Sequence, residues 1–532
     1  MSNPIEDSDK RHVVATPGGR LADFFGIDLR TLGLVRVLCA ALVLWTLALL
    51  YQDMEVFFTD AGVYPLALWE KHTSEELFFS IHGLSGELWW QRLVFGVHGV
   101  FAVMLLVGYR TRLASVMTWL LLVSLLHRNG VIVHSGDTVL CLMLLWGILC
   151  PWGGRFSVDA VMGRGGDRPQ RVTTVATAGL LLQMPLIYWF SVGAKVPDDS
   201  WAADGSAVFY ALTPELVTGL GQFLVERLPY GLTRALTMAT LVIEVVAPLL
   251  ILFVPLVFAP AKIRRRWLAR FRVAGIALLT GLQLGLVLTL SLGLFPLIST
   301  MATLAALPSS AWQWLARVLR GGRLEKFRQQ AIAWLEARLR ARRCRWNTSI
   351  FTEAVAALLL VIIVLTGIAS TPYFFVPDEI YRVQKALRIQ QTWWMFAAPI
   401  HGSGHYQLKA VMSDGTTVDL FGDLGPITAD SARRPSAEFP TTLRASAIYA
   451  RYRWRRYLWT VRDDDEESVE HRGYYARYIC RRWNDALQME PPVERLRFYR
   501  MVHTDDRLTQ GFFDAPEPKL LIDHRCDEAT RK

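Results

Sequence analysis

Long apolar stretches alternate with polar loops along the chain up to residue 369. Most of them approach the roughly 20 residues that an α-helix needs to cross a bilayer. The pattern predicts an α-helical polytopic membrane bundle of about eight spans. Two of these are short, and we expect them to lie inside the bundle or to extend into their flanking loops. The predicted spans cover 32–51, 93–108, 113–126, 138–151, 172–193, 236–259, 273–294 and 354–369.

The pattern changes after the last span. Residues 404–422 form two runs of alternating apolar and polar residues joined through Asp414-Gly415, which predicts a β-hairpin. Residues 495–502 alternate like a further strand, and 469–487 have helical spacing. The sequence therefore predicts a C-terminal α+β soluble domain over 371–532.

The distribution of charge predicts the orientation in the membrane, because cytoplasmic loops carry an excess of Lys and Arg. Loop 51–92 has seven acids and two bases, whereas 261–272 has six bases and no acid. This places the N-terminal segment 1–30 in the cytoplasm and Lys195 on the outer side. The expected location is a bacterial inner membrane, with the C-terminal domain in the periplasm.

One segment breaks this alternation. Residues 308–350 carry ten bases and two acids, which is typical of a cytoplasmic connector, yet the span before them ends outside. Residues 295–307 must therefore return the chain, either as a plain short crossing helix, which we favour, or as a re-entrant helix lining a cavity. The predicted regions are the N-terminal segment 1–30, the bundle 31–307, the connector 308–350, the last helix 351–370 and the outer domain 371–532.

Composition agrees with a membrane protein, since 52% of the residues are hydrophobic and only 20% are charged. The net charge of +10 lies mainly in the cytoplasmic loops, where it meets anionic lipid, and we expect no binding of nucleic acid. The chain has no P-loop, no GxGxxG after a strand, no HExxH and no GxSxG.

The six cysteines show no CxxC and no other metal-ligand spacing, so the sequence predicts no metal site. Cys480 and Cys526 both fall in the predicted outer domain and could form a disulfide there. Spacing alone does not decide whether they pair.

Several polar residues interrupt the apolar spans or begin them. Such groups are unfavourable in a bilayer and by default suggest a functional site. The simpler alternative for each is a hydrogen bond between helices. His134, Asp137 and Lys195 all lie at outer ends of spans and could converge on one cavity. The full set is His98, Asn129, His134, Asp137, Gln183, Lys195, Glu244 and Gln283.

Lys195 follows an apolar run in the stretch GAKVPDDSW. As an anchor it would extend to the lipid headgroups or pair with Asp198 or Asp199. Desolvated among apolar groups, it would hold its proton less tightly and could act as a base. The sequence leaves both alternatives open.

Four stretches carry a resemblance to a known family: FFTDAGVYP (57–65), GYRTRLASVMTWLLLVSLLHRNGVIVHSGDTVL (108–140), GAKVPDDSW (193–201) and QQTWWMFAAP (390–399). In order and spacing they resemble the HTTM family of membrane proteins, which includes vitamin K-dependent gamma-glutamyl carboxylase. The resemblance covers most of residues 20–400, and the tail beyond 425 adds little to it.

The resemblance implies an enzyme in which a lysine deprotonates reduced vitamin K or another naphthoquinone. Reaction with O2 gives the epoxide and a strong base that takes a proton from a glutamate γ-carbon of a protein substrate, which then captures CO2. Lys195 matches the family lysine, so we expect Lys195, Asp137 and His134 to be catalytic. The residues expected to bind the quinone are His98, Glu244, Trp201 and Asn129.

The chain departs from the family at two of these places. Ala194 stands where the family has the first of two lysines, and Asp137 stands where it has a histidine. The outer domain is also shorter than the family's substrate-binding tail. Quinone epoxidation is therefore easier to support than protein carboxylation.

Two other classes of function stay open. The protein could be a non-enzymatic lipid or quinone carrier, or transporter-like, with Glu244, His98 and Asp137 as a proton relay and Lys195 as an anchor. It could instead be a membrane assembly factor whose outer domain binds a client protein.

Overall fold

The computed structural model describes most of the bundle and part of the C-terminal domain. Most of the predicted connector 308–350, and residues 371–376 and 421–451 of the predicted outer domain, lie outside the described residues. The described residues are 19–163, 169–212, 216–225, 227–318, 330, 334, 349–369, 377–390, 392–399, 403–420, 452–503 and 517–527.

Helices form nearly all of the N-terminal part, together with one pair of two-residue strands, β1 (Ile27–Asp28) and β2 (Arg171–Val172). The described helices are α1 (Arg20–Phe25), α2 (Leu29–Gln52), α3 (Met54–Phe58), α4 (Leu66–Thr73), α5 (Leu88–Val107), α6 (Thr111–Arg128), α7 (Ser135–Leu149), α8 (Val158–Met162), α9 (Val175–Lys195), α10 (Asp199–Ala202), α11 (Ala207–Ala211), α12 (Gly219–Val225), α13 (Tyr230–Leu252), α14 (Ala261–Thr289), α15 (Phe295–Thr303), α16 (Ser309–Val318) and α17 (Ile350–Ala369).

Six of these helices are long and apolar enough to cross a membrane, namely α2, α5, α9, α13, α14 and α17. The protein is therefore consistent with a multi-pass integral membrane protein. Within the described residues, the predicted spans 113–126 and 138–151 fall short of this standard. Helix α6 has 18 residues but carries Arg112, His127 and Arg128 near its ends, and α7 has only 15 residues.

Helix α7 lies in the interior of the bundle. At 1.5 Å per residue it is about 22 Å long, shorter than the roughly 30 Å hydrocarbon layer. Every residue from Val139 to Leu144 is buried. A helix that is apolar on all sides is typical of a protein core, and this placement agrees with the prediction for the short spans.

The return segment at 295–307 is also short. Helix α15 continues into a 3₁₀ turn, Leu304–Ala306, and the two together span about 18 Å. Its buried residues, among them Ile298 and Met301, pack against α7 and α14. Whether it returns the chain by crossing or by re-entry stays a prediction.

The described C-terminal residues form an antiparallel sheet of four strands in the order β4-β3-β5-β6, with helices beside it. The predicted hairpin is confirmed: β3 pairs with β4, and Gly415 in the turn has a φ of 83°. The predicted strand at 495–502 and the predicted helix at 469–487 are also confirmed. The elements are α18 (Asp378–Leu387), β3 (Ser403–Met412), β4 (Thr417–Asp419), α19 (Tyr452–Thr460), α20 (Glu466–Cys480) with a π-helical end (Arg481–Ala486), β5 (Val493–His503) and β6 (Glu517–Arg525).

A disulfide joins Cys480 at the end of α20 to Cys526 just after β6. This is the pairing that the sequence left undecided. The remaining described cysteines, Cys39, Cys141 and Cys150, are buried and free.

Candidate functional site

Lys195 is the last residue of helix α9. Its side chain points at Glu244 in the middle of α13. Its Nζ donates to both carboxylate oxygens, at 2.6 Å to Oε1 and 2.7 Å to Oε2. Lys195 is 3% exposed and Glu244 is 6% exposed. The amine therefore does not extend to the protein surface as an isolated anchor; it is half of a buried ion pair between two helices.

The local sequence explains why the lysine stands at this place. Val196 and Pro197 follow it, and proline does not continue a helix. A cation in the last turn also interacts favourably with the helix dipole. Of the alternatives that the sequence left open, pairing with Asp198 or Asp199 is not the one in the structure, because Glu244 is the carboxylate at the amine. Asp198 instead caps α10, its Oδ1 accepting from the backbone N–H of Ser200 at 3.0 Å.

Trp201 completes the surroundings of the amine. Its ring centre lies 4.7 Å from Lys195 Nζ, within the range of a cation–π contact. The indole Nε1 donates to the carbonyl oxygen of Phe396 at 2.7 Å, and the residue is buried. Trp201 thereby connects the lysine to the segment that follows α17, in which the predicted family stretch 390–399 lies.

A second polar contact of α9 lies two helical turns before Lys195, at Tyr188. Tyr188 is seven residues before Lys195, so the two share a helix face about 10 Å apart along the axis. The Tyr188 hydroxyl accepts from Gln283 Nε2 of α14 at 2.8 Å. Gln283 Oε1 is buried and has no hydrogen-bond partner among the described residues. An unsatisfied buried acceptor is unfavourable and suggests a place for a donor.

Gln183 behaves as the simpler interpretation predicted. Its Oε1 accepts from Trp146 Nε1 of α7 at 3.0 Å. This is a hydrogen bond between helices, and it fixes α9 against the central helix of the bundle.

His134 and Asp137 form a separate site at the start of α7. They make a capping box, with Gly136 N donating to His134 Nδ1 and His134 N donating to Asp137 Oδ2. Arg453 of α19 donates to both carboxylate oxygens of Asp137, at 2.6 and 2.8 Å. It also donates to the carbonyl of Ile132 at 2.7 Å. These contacts dock the C-terminal domain on the bundle.

The described structure therefore does not connect His134 and Asp137 to Lys195 by a hydrogen bond or ion pair. The expectation that the three converge on one cavity receives no support from the contacts of their side chains. Sequence reasoning missed Arg453, although the arginine-rich stretch RYRWRRY (451–457) is a signal that could have drawn attention to it.

Asn129 and His98 were predicted to bind the quinone and also lie away from the contacts of Lys195. Asn129 Nδ2 donates to the carbonyl of Phe57 at 2.8 Å and so holds the end of helix α3. His98 is fully buried in α5, which packs on α2 and α6, and neither ring nitrogen has a hydrogen-bond partner among the described residues. Of the predicted site residues, Glu244 and Trp201 are the two whose side chains contact Lys195 in the described structure.

Comparison with known protein-family models, with characterised proteins and with solved structures gives no match for this chain.

Proposed function

We propose that the protein is an HTTM-like membrane enzyme that uses the Lys195–Glu244 pair to accept a proton from a reduced naphthoquinone and so promotes its epoxidation. The observation that carries this proposal is the two-point contact of Lys195 Nζ with both Glu244 oxygens inside the helix bundle. Two ionisable side chains at this depth are unfavourable unless paired, and such pairs commonly mark proton or substrate pathways.

The proton shared by the pair can sit either on Lys195 Nζ or on a Glu244 oxygen. When the proton sits on a Glu244 oxygen, Nζ of Lys195 is a neutral amine with a free electron pair. It can then accept a proton from a hydroxyl group, and Glu244 can return its own proton to a water or to the next acceptor. Burial increases the effect of each charge on the other, because the local dielectric constant is low.

Two buried side chains could hold a hydroxylated aromatic ring: Trp201 at the amine, and Gln283, which contacts Tyr188 about 10 Å along α9 from Lys195. Gln283 Oε1 is a buried acceptor without a partner and could receive a hydroxyl hydrogen. The Trp201 ring offers an aromatic face beside the amine. When bound, a reduced naphthoquinone would supply the electrons: one O2 oxidises it to the epoxide and releases one water. The residues of the bundle would position the ring and exclude water from the amine.

The proposal stops at epoxidation and does not extend to carboxylation of glutamate. Asp137 stands where the family resemblance places a histidine, and Arg453 engages both of its oxygens. A carboxylate held in this way remains ionised and does not stabilise a carbanion.

We further propose the orientation that the charge pattern predicts, with a cytoplasmic N-terminus and a periplasmic C-terminal domain. The Cys480–Cys526 disulfide supports it, because disulfides persist in oxidising compartments.

A quinone or lipid carrier is the second candidate, and one observation favours it. Two donor positions of Lys195 are taken by Glu244, and the ring of Trp201 faces the amine, so the lysine has a complete set of partners without a substrate. In a carrier the pair would stay charged and would fix the helices around an apolar ligand.

The deciding experiment uses the full chain in detergent micelles with a reduced naphthoquinone and O2, and epoxide is measured by chromatography and mass spectrometry. Lys195→Gln is the test variant. Lys262→Gln is the matched control, because Lys262 is exposed at the start of α14. Epoxide made by the wild type and the control but lost in Lys195→Gln supports the enzyme.

Absence of epoxide in the wild type overturns the enzyme proposal. The carrier then requires that the quinone raise thermal stability, by about 2.7 kcal/mol at 100 times the Kd. If the quinone neither reacts nor stabilises the protein, both proposals fail.

A further inference from the structure

A cluster of histidine and glutamate side chains lies between the outer loop of the bundle and the C-terminal domain. His72 comes from α4, while Glu467, Glu470 and His471 share one face of α20 at spacings of three and four residues. The sequence predicted no metal site from its cysteine spacing, and His72 and Glu470 lie 398 positions apart in the chain. Only folding brings them together.

The distances are those of a ligand set that is almost closed. His72 Nδ1 lies 3.8 Å from Glu467 Oε1, and His471 Nε2 lies 3.7 Å from the same oxygen. One ligand atom from each of the three residues falls within 4.8 Å of the others. Two ligand atoms that each lie about 2.0 Å from a tetrahedral Zn²⁺ are about 3.3 Å apart. A shift of about half an ångström would therefore bring Glu467 Oε1 to this separation from both histidine nitrogens.

The histidine nitrogens that face this space lack other partners. His471 is completely buried, and neither of its ring nitrogens has a hydrogen-bond partner among the described residues. His72 Nδ1 is likewise buried without a partner. Buried polar atoms are rarely left unpaired, so two imidazoles with unsatisfied nitrogens side by side require an explanation.

We propose that His72, Glu467 and His471 bind one Zn²⁺ ion, with water as the fourth ligand. Imidazole nitrogen and carboxylate oxygen are both ligands that Zn²⁺ accepts. A cation there would satisfy His72 Nδ1 and His471 Nε2 and would also neutralise Glu467.

Glu470 and Lys71 supply the outer contacts that metal-binding histidines commonly have. Glu470 Oε2 lies 3.3 Å from His72 Nε2, the nitrogen opposite the one that faces Glu467. It also accepts from Lys71 Nζ at 2.7 Å. Glu470 therefore fixes the ring so that Nδ1 points at the ion.

The ion would have a structural role. His72 belongs to the outer loop of the bundle, and the other two ligands belong to the C-terminal domain. One bound Zn²⁺ would join the two parts at a place well separated in sequence from the Asp137–Arg453 contact.

The competing explanation is aromatic packing alone. Tyr64 stacks on His471 with ring centres 5.4 Å apart, and the two histidine rings are also 5.4 Å apart. Stacking explains the positions of the rings but not why their nitrogens lack partners.

The test measures Zn²⁺ binding to the full chain in detergent after removal of metal with a chelator. Zinc content is determined by elemental mass spectrometry, and affinity by competition with a chromophoric chelator. The proposal expects one Zn²⁺ per chain in the wild type. Glu467→Gln should weaken binding by at least about 10-fold, since even outer contacts of a metal site are worth 10–100-fold.

Glu466→Gln is the matched control, because it makes the same change one residue earlier on the same helix, on a side chain that is also exposed. Glu467 is 60% exposed, so its replacement should leave the fold intact. Co²⁺ in place of Zn²⁺ should give the visible absorption of a four-coordinate site. A wild type that binds no Zn²⁺ when the ion is added back, or equal affinity in Glu466→Gln and Glu467→Gln, overturns the proposal and leaves aromatic packing as the explanation.

Discussion

Replacing the two members of the buried ion pair with methionine, singly and together, tests the central feature of the site. The pair is short, at 2.6 Å, and its side chains are only 4% and 8% exposed. Lys195→Met leaves the Glu244 carboxylate buried without a partner, and Glu244→Met leaves the amine in the same situation. Breaking a buried pair in this way typically costs 3–5 kcal/mol.

The double variant should behave differently. Two methionines of similar length remove both charges and their desolvation, and such replacements are often neutral or stabilising by 1–4 kcal/mol. We therefore expect Lys195→Met/Glu244→Met to be at least about 3 kcal/mol more stable than either single variant. The stability lost in each single variant falls toward the lower end of the range if the remaining group becomes neutral by gaining or losing a proton.

Reversible unfolding in mixed micelles, followed by circular dichroism, gives the three free energies and their coupling. A double variant whose loss equals the sum of the single losses would refute the pairing, because independent residues give additive changes. A stable double variant that makes no epoxide would separate the proposed catalysis from stability, since its fold is intact and only the two paired charges are missing.

Three further predictions concern the C-terminal domain. Arg453→Gln leaves Asp137 buried without its arginine partner and should destabilise the docked domain by about 3–5 kcal/mol. Limited proteolysis of the domain should therefore become faster. Arg453→Lys should restore only part of the lost stability, because lysine cannot donate to both carboxylate oxygens in the bidentate geometry of arginine. Cys480→Ser opens a loop of 46 residues and should lower the stability of the domain by up to about 4 kcal/mol, and a reducing agent should have the same effect on the wild type. The hydrogen bond from Lys71 holds the pKa of Glu470 below its usual value, so this link stabilises the fold above the ordinary Glu pKa and is lost as pH falls through the lowered value. Melting temperature should therefore decline more steeply below about pH 4 in the wild type than in Glu470→Gln; parallel profiles would contradict this.

The elements with a strong local pattern were predictable from the sequence. The hairpin at 404–422 follows from alternation and from a glycine that the turn requires at positive φ. Strand β6, Glu517–Arg525, was missed. It lies at the edge of the sheet with only Leu521 buried, and it includes Pro518 near its start. An edge strand with one buried side chain has no alternation to detect.

The candidate site was predictable only in part, for a related reason. Lys195 and Glu244 both stood out because charge is unfavourable in an apolar helix. Their pairing depends on how far α9 and α13 slide past each other, which no local pattern encodes. Asp198 and Asp199, near Lys195 in sequence, were the partners that the sequence offered for an anchoring lysine, whereas the partner in the structure is 49 residues away.

The double contact of Trp201 has a mechanical consequence. One side of the indole covers the amine of Lys195, and its N–H holds the backbone at Phe396, beyond the last long apolar helix. Movement of that segment away from helix α9 must either break this hydrogen bond or move the ring with it and uncover the amine. The backbone at Phe396 is thus coupled directly to the surroundings of the Lys195–Glu244 pair.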